Sequence, residues 1–151
     1  MLPVKRSKFA ILGGGSWGTT TASVISRHCD AILWARDGQI VDEINQAHTN
    51  HRYLGDAALN AKLAATTDIG AAVNQADAVL IAVPSSHFRE VLASALSDLP
   101  MGIPLISLSK GLEKDSRMRM TEFILDLAPG RIPGVLTGPN LAREILACMA
   151  A

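Results

Sequence analysis

Three consecutive glycines, Gly13, Gly14 and Gly15, separate a short apolar run at residues 9–12 from a segment of helical period that opens with Ser16, Trp17 and Gly18. Gly13, Gly15 and Gly18 give the spacing G-x-G-x-x-G. Between a strand and a helix, the first glycine of this spacing makes a tight turn and the second lets backbone approach a pyrophosphate. The third lets helix and strand pack closely. Free N–H groups at the helix start then face an anion, the helix dipole adds to the attraction, and the Ser16 hydroxyl can contribute. A glycine-rich turn with no ligand is the alternative, and the pattern needs its βαβ context to exceed that.

The context is present. Apolar runs at 9–12, 31–34, 78–83, 104–108 and 134–137, with a weaker one at 62–66, read as strands, and none alternates in and out. Runs of that kind are strands covered on both faces, hence a mainly parallel sheet. Between them, Phe88, Val91, Leu92, Ala95, Leu96 and Leu99 recur at helical spacing, as do Met120, Phe123, Ile124 and Leu127. Similar stripes run from Trp17 to His28, from Ile40 to Ala47 and from Leu141 to Met149. Alternation with short connections predicts a doubly wound α/β fold of the Rossmann type. The 151 residues make one dinucleotide-binding domain. Because the chain stops in or just after a helix, it is expected to be the amino-terminal part of a longer protein whose helical domain lies beyond it.

Composition narrows the partners. Lys+Arg and Asp+Glu both number 14, so no global field recruits nucleic acid or an anionic membrane. The apolar run after Lys5, Arg6 and Lys8 is too short for a signal peptide, and no apolar stretch is long enough to span a bilayer. Cys29 and Cys148 match no metal or redox spacing and read as reduced thiols. A cytoplasmic protein acting on a small molecule, without metal, is the expectation.

In an open parallel sheet ligands bind beyond the carboxyl ends of the strands. Where an acid would receive the ribose hydroxyls of NAD, the second strand ends in Trp34-Ala35-Arg36-Asp37. Arg36 can pair with a 2′-phosphate, which leans toward NADP(H), while Asp37 keeps NAD(H) open and a solvated arginine is the plain alternative. Lys110, at the tip of the fifth strand beside Gly111, is placed to reach a phosphate, a carbonyl oxygen or the cofactor. It reads otherwise as an exposed lysine. His87 is more a surface or packing histidine than a proton donor. Asn140 is either an N-cap or a ligand contact. Tyr53 either covers the nucleotide or is buried against the sheet.

Six segments in order make the chain resemble the amino-terminal domain of bacterial NAD(P)-dependent glycerol-3-phosphate dehydrogenases. They are GGGSWGT at 13–19, LWAR at 33–36, NHRYL at 50–54, AVPSSHFREVL at 82–92, SLSKGLE at 107–113 and TGPNLAREI at 137–145. The resemblance implies reversible hydride transfer between glycerol 3-phosphate and dihydroxyacetone phosphate, for phospholipid synthesis. It implies that Ser16, Trp17, Arg36, Tyr53, Lys110 and Ala142 contact NADP(H), and that Lys110, Gly138 and Asn140 contact substrate. A lysine of the second domain does much of the polarising in this family, so this chain is expected to bind cofactor with little or no turnover. After TGPNLARE the family pattern continues toward a glycine and a proline, where this chain has Cys148 and Ala150. A ketopantoate reductase or 3-hydroxyacid dehydrogenase is the near alternative, and a non-catalytic nucleotide-sensing module the distant one. A homodimer of the full-length protein is left open.

Overall fold

The computed structural model describes residues 6–138 and 142–147. Six parallel strands form one sheet in the order β3-β2-β1-β4-β5-β6. They are β1 (Lys8–Leu12), β2 (Asp30–Trp34), β3 (Ala64–Thr66), β4 (Ala78–Ile81), β5 (Pro104–Ser107) and β6 (Ile132–Val135). The helices are α1 (Ser16–Ile25), α2 (Gly38–Ala47), α3 (His51–Leu54), α4 (Ile69–Val73), α5 (Ser85–Ala95), α6 (Met120–Leu127) and α7 (Ala142–Leu146). None of them is long and apolar enough to cross a membrane.

Side chains alternate across a strand, and in β1 and β4 both faces are buried, which is why their apolar runs are continuous. Ala10, Leu12, Val79 and Ile81 pack with Phe88 of α5 and with Phe123 and Ile124 of α6. The rings of Phe88 and Phe123 meet edge to face, with centroids 6.0 Å apart. Ile11, Leu33 and Leu80 pack on the other face with Ala22 of α1, Ile40 and Ile44 of α2, and Leu146 of α7. The chain builds outward from β1 to β3, then crosses back to lay β4 on the free side of β1. That reversal opens a crevice at the carboxyl ends of β1 and β4.

The structure corrects the sequence reading in four places. The first helix closes at Ile25, because Arg27 and His28 donate to the third residue back, Val24 and Ile25, in a tightened turn. The helix at 69–73 is too short for its period to show; its signal is Asp68, whose side chain caps the N–H of Ala71 at 3.0 Å. Burial alternates along β2 and β5, which are not covered evenly on both faces.

The last strand starts two residues earlier than its apolar run suggests and is largely uncovered, with Ile132 58% and Val135 56% exposed. Pro133 is tolerated there because Ile132 and Leu136 donate inward, to Ile103 just before β5 and to Ser107 at its end, so the intervening odd position turns its missing N–H to the open edge.

Candidate coenzyme and substrate site

Three of the four glycines of the opening loop leave no room for a side chain. Gly13 has φ +127°, and a Cβ there would stand 2.5 Å from the carbonyl oxygen of Ala82. A Cβ on Gly18 would lie 2.0 Å from the carbonyl oxygen of Gly13, and one on Gly14 2.6 Å from the Ala35 methyl. Gly15 differs, since nothing among the described residues lies within 4 Å of its would-be Cβ. It is the N-cap of α1 and supplies no side-chain bond. Thr19 donates to Gly15 at 3.0 Å, while the N–H groups of Ser16 and Trp17 have no acceptor among the described residues. A helix start with open donors beside open space is an anion cradle.

That space belongs to a cavity of about 520 Å³ whose walls include Gly13 to Gly15, Arg36, Tyr53, Val83 and Pro84. A second hollow of about 340 Å³ shares Gly15, Val83 and Pro84 with it and continues past Ser16 and Trp17 to Lys110, Thr137 and Gly138. Of the sequence-predicted residues, Gly13, Gly15, Ser16, Trp17, Arg36, Tyr53, Lys110 and Gly138 therefore line one trough across the carboxyl rim, from Arg36 at one end to Lys110 and Gly138 at the other, while Gly18 and Ala142 line neither hollow.

Arg36 makes no side-chain hydrogen bond or ion pair among the described residues, whereas both oxygens of Asp37 are occupied. One accepts from Gln39 N–H at 2.9 Å, capping α2, and the other from Arg52 at 3.2 Å. Tyr53 is 42% exposed on the cavity wall with the Arg52 guanidinium 5.5 Å from its ring centroid. Burial against the sheet, the alternative reading of Tyr53, falls instead to its neighbour Leu54. His87 lines the Arg36 end of the trough, half-exposed and 3.8 Å from Glu90, apart from Lys110. Ala142 opens α7 and packs against the α1–α2 side of the sheet. Asn140 and Cys148 lie outside the described residues; Cys29 is a free thiol.

Asn50 is a site residue to which the sequence reading gives no role. Fully buried, it donates from Nδ2 to the Gly14 carbonyl at 3.0 Å and to Thr19 Oγ1 at 2.9 Å, tying the glycine loop to α3. Its own Oδ1 has no hydrogen-bond partner among the described residues. Asn50→Ala is expected to lower stability by about 1 kcal/mol, because lost hydrogen bonds are partly offset by removing an orphaned buried oxygen. Urea unfolding measures this, and no change would mean that the tie holds nothing. Beside it, His51 places its two ring nitrogens 2.5 Å from Glu43 and 3.1 Å from Asp56. The Glu43 hydrogen bond is the main cause of its raised pKa.

The chain matches, over residues 8–151, the family described as NAD-dependent glycerol-3-phosphate dehydrogenase N-terminus. It belongs to that family. It is 52% identical over 146 residues to a glycerol-3-phosphate dehydrogenase [NAD(P)+] from Sphingopyxis alaskensis, covering 97% of this chain and 44% of that protein. Against the one from Mycobacterium avium it is 44% identical over 149 residues, covering 98% and 44%. The crystal structure of a glycerol-3-phosphate dehydrogenase from Coxiella burnetii superposes with a TM-score of 0.86 at 33% identity, covering 94% of this chain and 44% of that one. The chain thus spans less than half the length of the relatives it matches.

In this member of the glycerol-3-phosphate dehydrogenase family, Glu113 is a second residue to which the sequence reading gave no role. It is 2% exposed and sits three residues beyond Lys110. Hydrogen bonds from the Ser116 hydroxyl, the Arg89 guanidinium and the Ser116 N–H hold its carboxyl down at about 2, and Arg89 is pushed up in turn. Since the ordinary value is 4.5, this carboxylate's stabilisation is complete above 4.5 and is lost as pH falls from there through about 2. The stability advantage of wild type over Glu113→Gln is therefore expected to be constant at neutral pH and to vanish across that window in acid-unfolding curves. An advantage that persisted at the acid end would contradict it.

Proposed function

We propose that this chain is the dinucleotide-binding domain of a glycerol-3-phosphate dehydrogenase that interconverts sn-glycerol 3-phosphate and dihydroxyacetone phosphate in the cytoplasm, for glycerophospholipid synthesis. The observation that carries this reading is the trough itself: open helix donors at Ser16 and Trp17, with an arginine at one end and a lysine at the other that are both unpaired among the described residues. The coenzyme supplies or accepts the hydride when bound. The residues present fit such a group, because the cradle at Gly15 is open where any other residue would put a side chain.

The N–H groups of Ser16 and Trp17, backed by the α1 dipole, hold the diphosphate. Arg36 pairs with a 2′-phosphate, and Asp37, already committed to α2 and Arg52, competes poorly for ribose hydroxyls. This supports NADP(H), with NAD(H) bound more weakly. Tyr53 covers the nucleotide from α3. Lys110 reaches coenzyme and substrate oxygen, Gly138 and Asn140 position the substrate, and Ala142 approaches the coenzyme from α7.

The catalytic groups belong to a further helical domain of the complete enzyme, with Lys110 of this chain as a substrate-contacting support, and the exposed Leu112, Val135 and Leu136 offer that domain an apolar rim. A homodimer of the complete enzyme is part of this reading. Calorimetry on the 151-residue chain is expected to show saturable binding of NADPH, tighter than NADH, with dihydroxyacetone phosphate reduction at trace level only. No heat with either nucleotide defeats the reading. Turnover like that of a two-domain enzyme defeats the assignment of catalytic groups to a further domain.

A further inference from the structure

Lys110 holds the substrate end of the trough, yet its ammonium has no hydrogen-bond or ion-pair partner among the described residues. Its position is set through the backbone on either side. Behind it, the Ser109 hydroxyl donates to the Val83 carbonyl, and the Ser109 N–H to Ser107 Oγ at 3.2 Å, tying residue 109 to the tips of β4 and β5. Ahead of it, Gly111 takes φ +89°, with nothing among the described residues within 4 Å of its would-be Cβ.

Two residues past Gly111 the chain is locked again. Glu113 accepts from Arg89 Nε at 3.3 Å and Nη2 at 3.2 Å, from the N–H groups of Asp115 at 3.2 Å and Ser116 at 2.7 Å, and from Ser116 Oγ at 2.6 Å. Its backbone N–H donates to Met118 and its carbonyl accepts from Arg117, both at 2.9 Å. Arg89 leaves α5, the helix whose first turn walls the coenzyme cavity, and lies 4.5 Å over the ring of Phe123 in α6. One buried carboxylate thereby joins α5, α6 and the loop carrying Lys110.

Only the Glu113 half of this ion pair is buried, the Arg89 side chain being 44% exposed, and an ion pair open to water on one side is a poor way to gain stability. What such a pair supplies is a fixed arrangement of the segments it joins. We propose that Arg89 and Glu113 are positioning residues for Lys110, setting the loop against the coenzyme-bearing helix so that the ammonium faces the bound ligand. The inference rests on the coenzyme reading above.

A double-mutant cycle on the full chain tests it, with NADPH as the ligand and far-UV circular dichroism confirming that each variant is folded. Lys110→Met is expected to weaken NADPH about tenfold, as for loss of a hydrogen bond from a charged group. Glu113→Gln should weaken it by a similar factor, and the double variant no further, because a misplaced Lys110 has nothing left to lose. Arg89→Lys, which keeps the charge and loses the fork, should fall between wild type and Glu113→Gln; it also serves if Glu113→Gln does not fold.

Independent, multiplying losses overturn the proposal, since a merely structural role would leave the Lys110 contribution intact. Lys110→Met with wild-type affinity for NADPH and for dihydroxyacetone phosphate overturns it too, because there would be nothing to position for. Wild type that binds no NADPH brings down the coenzyme reading itself, a result distinct from either of these.

Discussion

Gly18→Ala is expected to destabilise the fold by more than about 3 kcal/mol, at or beyond the upper end of ordinary overpacking, because the contact it creates is with backbone. The added methyl would stand 2.0 Å from the Gly13 carbonyl oxygen and 3.1 Å from the Ala82 methyl, with no flexible side chain to yield. Relief requires moving α1 away from the tips of β1 and β4, which opens the core behind it. A loss of that size is a large share of a typical domain's 5–15 kcal/mol.

Gly15→Ala is the informative companion. With φ −77° and empty space around it, alanine fits there without strain and should leave urea unfolding unchanged or slightly improved. Its methyl nevertheless projects into the cradle, so NADPH affinity should fall at least tenfold. Fluorescence titration decides: an unfolded Gly18→Ala with a stable, non-binding Gly15→Ala matches the geometry, while normal binding by Gly15→Ala would mean that the cradle is elsewhere.

Arg36→Ala should weaken NADPH by roughly 1.5 to 3 kcal/mol, the range for hydrogen bonds to charged groups, and leave NADH nearly untouched. The asymmetry follows from the local arrangement. Arg36 has no hydrogen-bond or ion-pair partner to lose among the described residues, so the substitution is expected to cost little in the free protein. Asp37 stays engaged with Gln39 and Arg52 and is not released toward ribose. Paired titrations with the two coenzymes measure this, and equal losses would show that the arginine contributes general attraction rather than recognition of the extra phosphate.

The parts of the candidate site that are legible in the sequence are those whose placement is local. Gly13 to Gly18 announce themselves because the turn between β1 and α1 leaves no room for a side chain at Gly13, Gly14 or Gly18. Arg36 and Lys110 stand at strand tips, where topology alone aims them at the rim. Asn50 and Glu113 stayed hidden for the opposite reason. The role of Asn50 depends on the Gly14 carbonyl 36 positions away, and that of Glu113 on Arg89, 24 positions away. A glutamate beside lysine and aspartate reads as solvated until the fold buries it. In the fold, the continuous runs of β1 and β4 were legible because both faces are covered. Edge strand β6 was misplaced because a proline counts against a strand only where its N–H would be needed.

The crossover that puts β4 beside β1 has a mechanical consequence. The domain is built as two half-shells glued to opposite sides of one membrane of strands, and the trough runs along their shared seam, taking Gly15 and Arg36 from one shell and Val83 and Lys110 from the other. A molecule lodged there acts as a rivet, adding about 2.7 kcal/mol of cohesion at a hundredfold excess over its dissociation constant. It tightens both halves together.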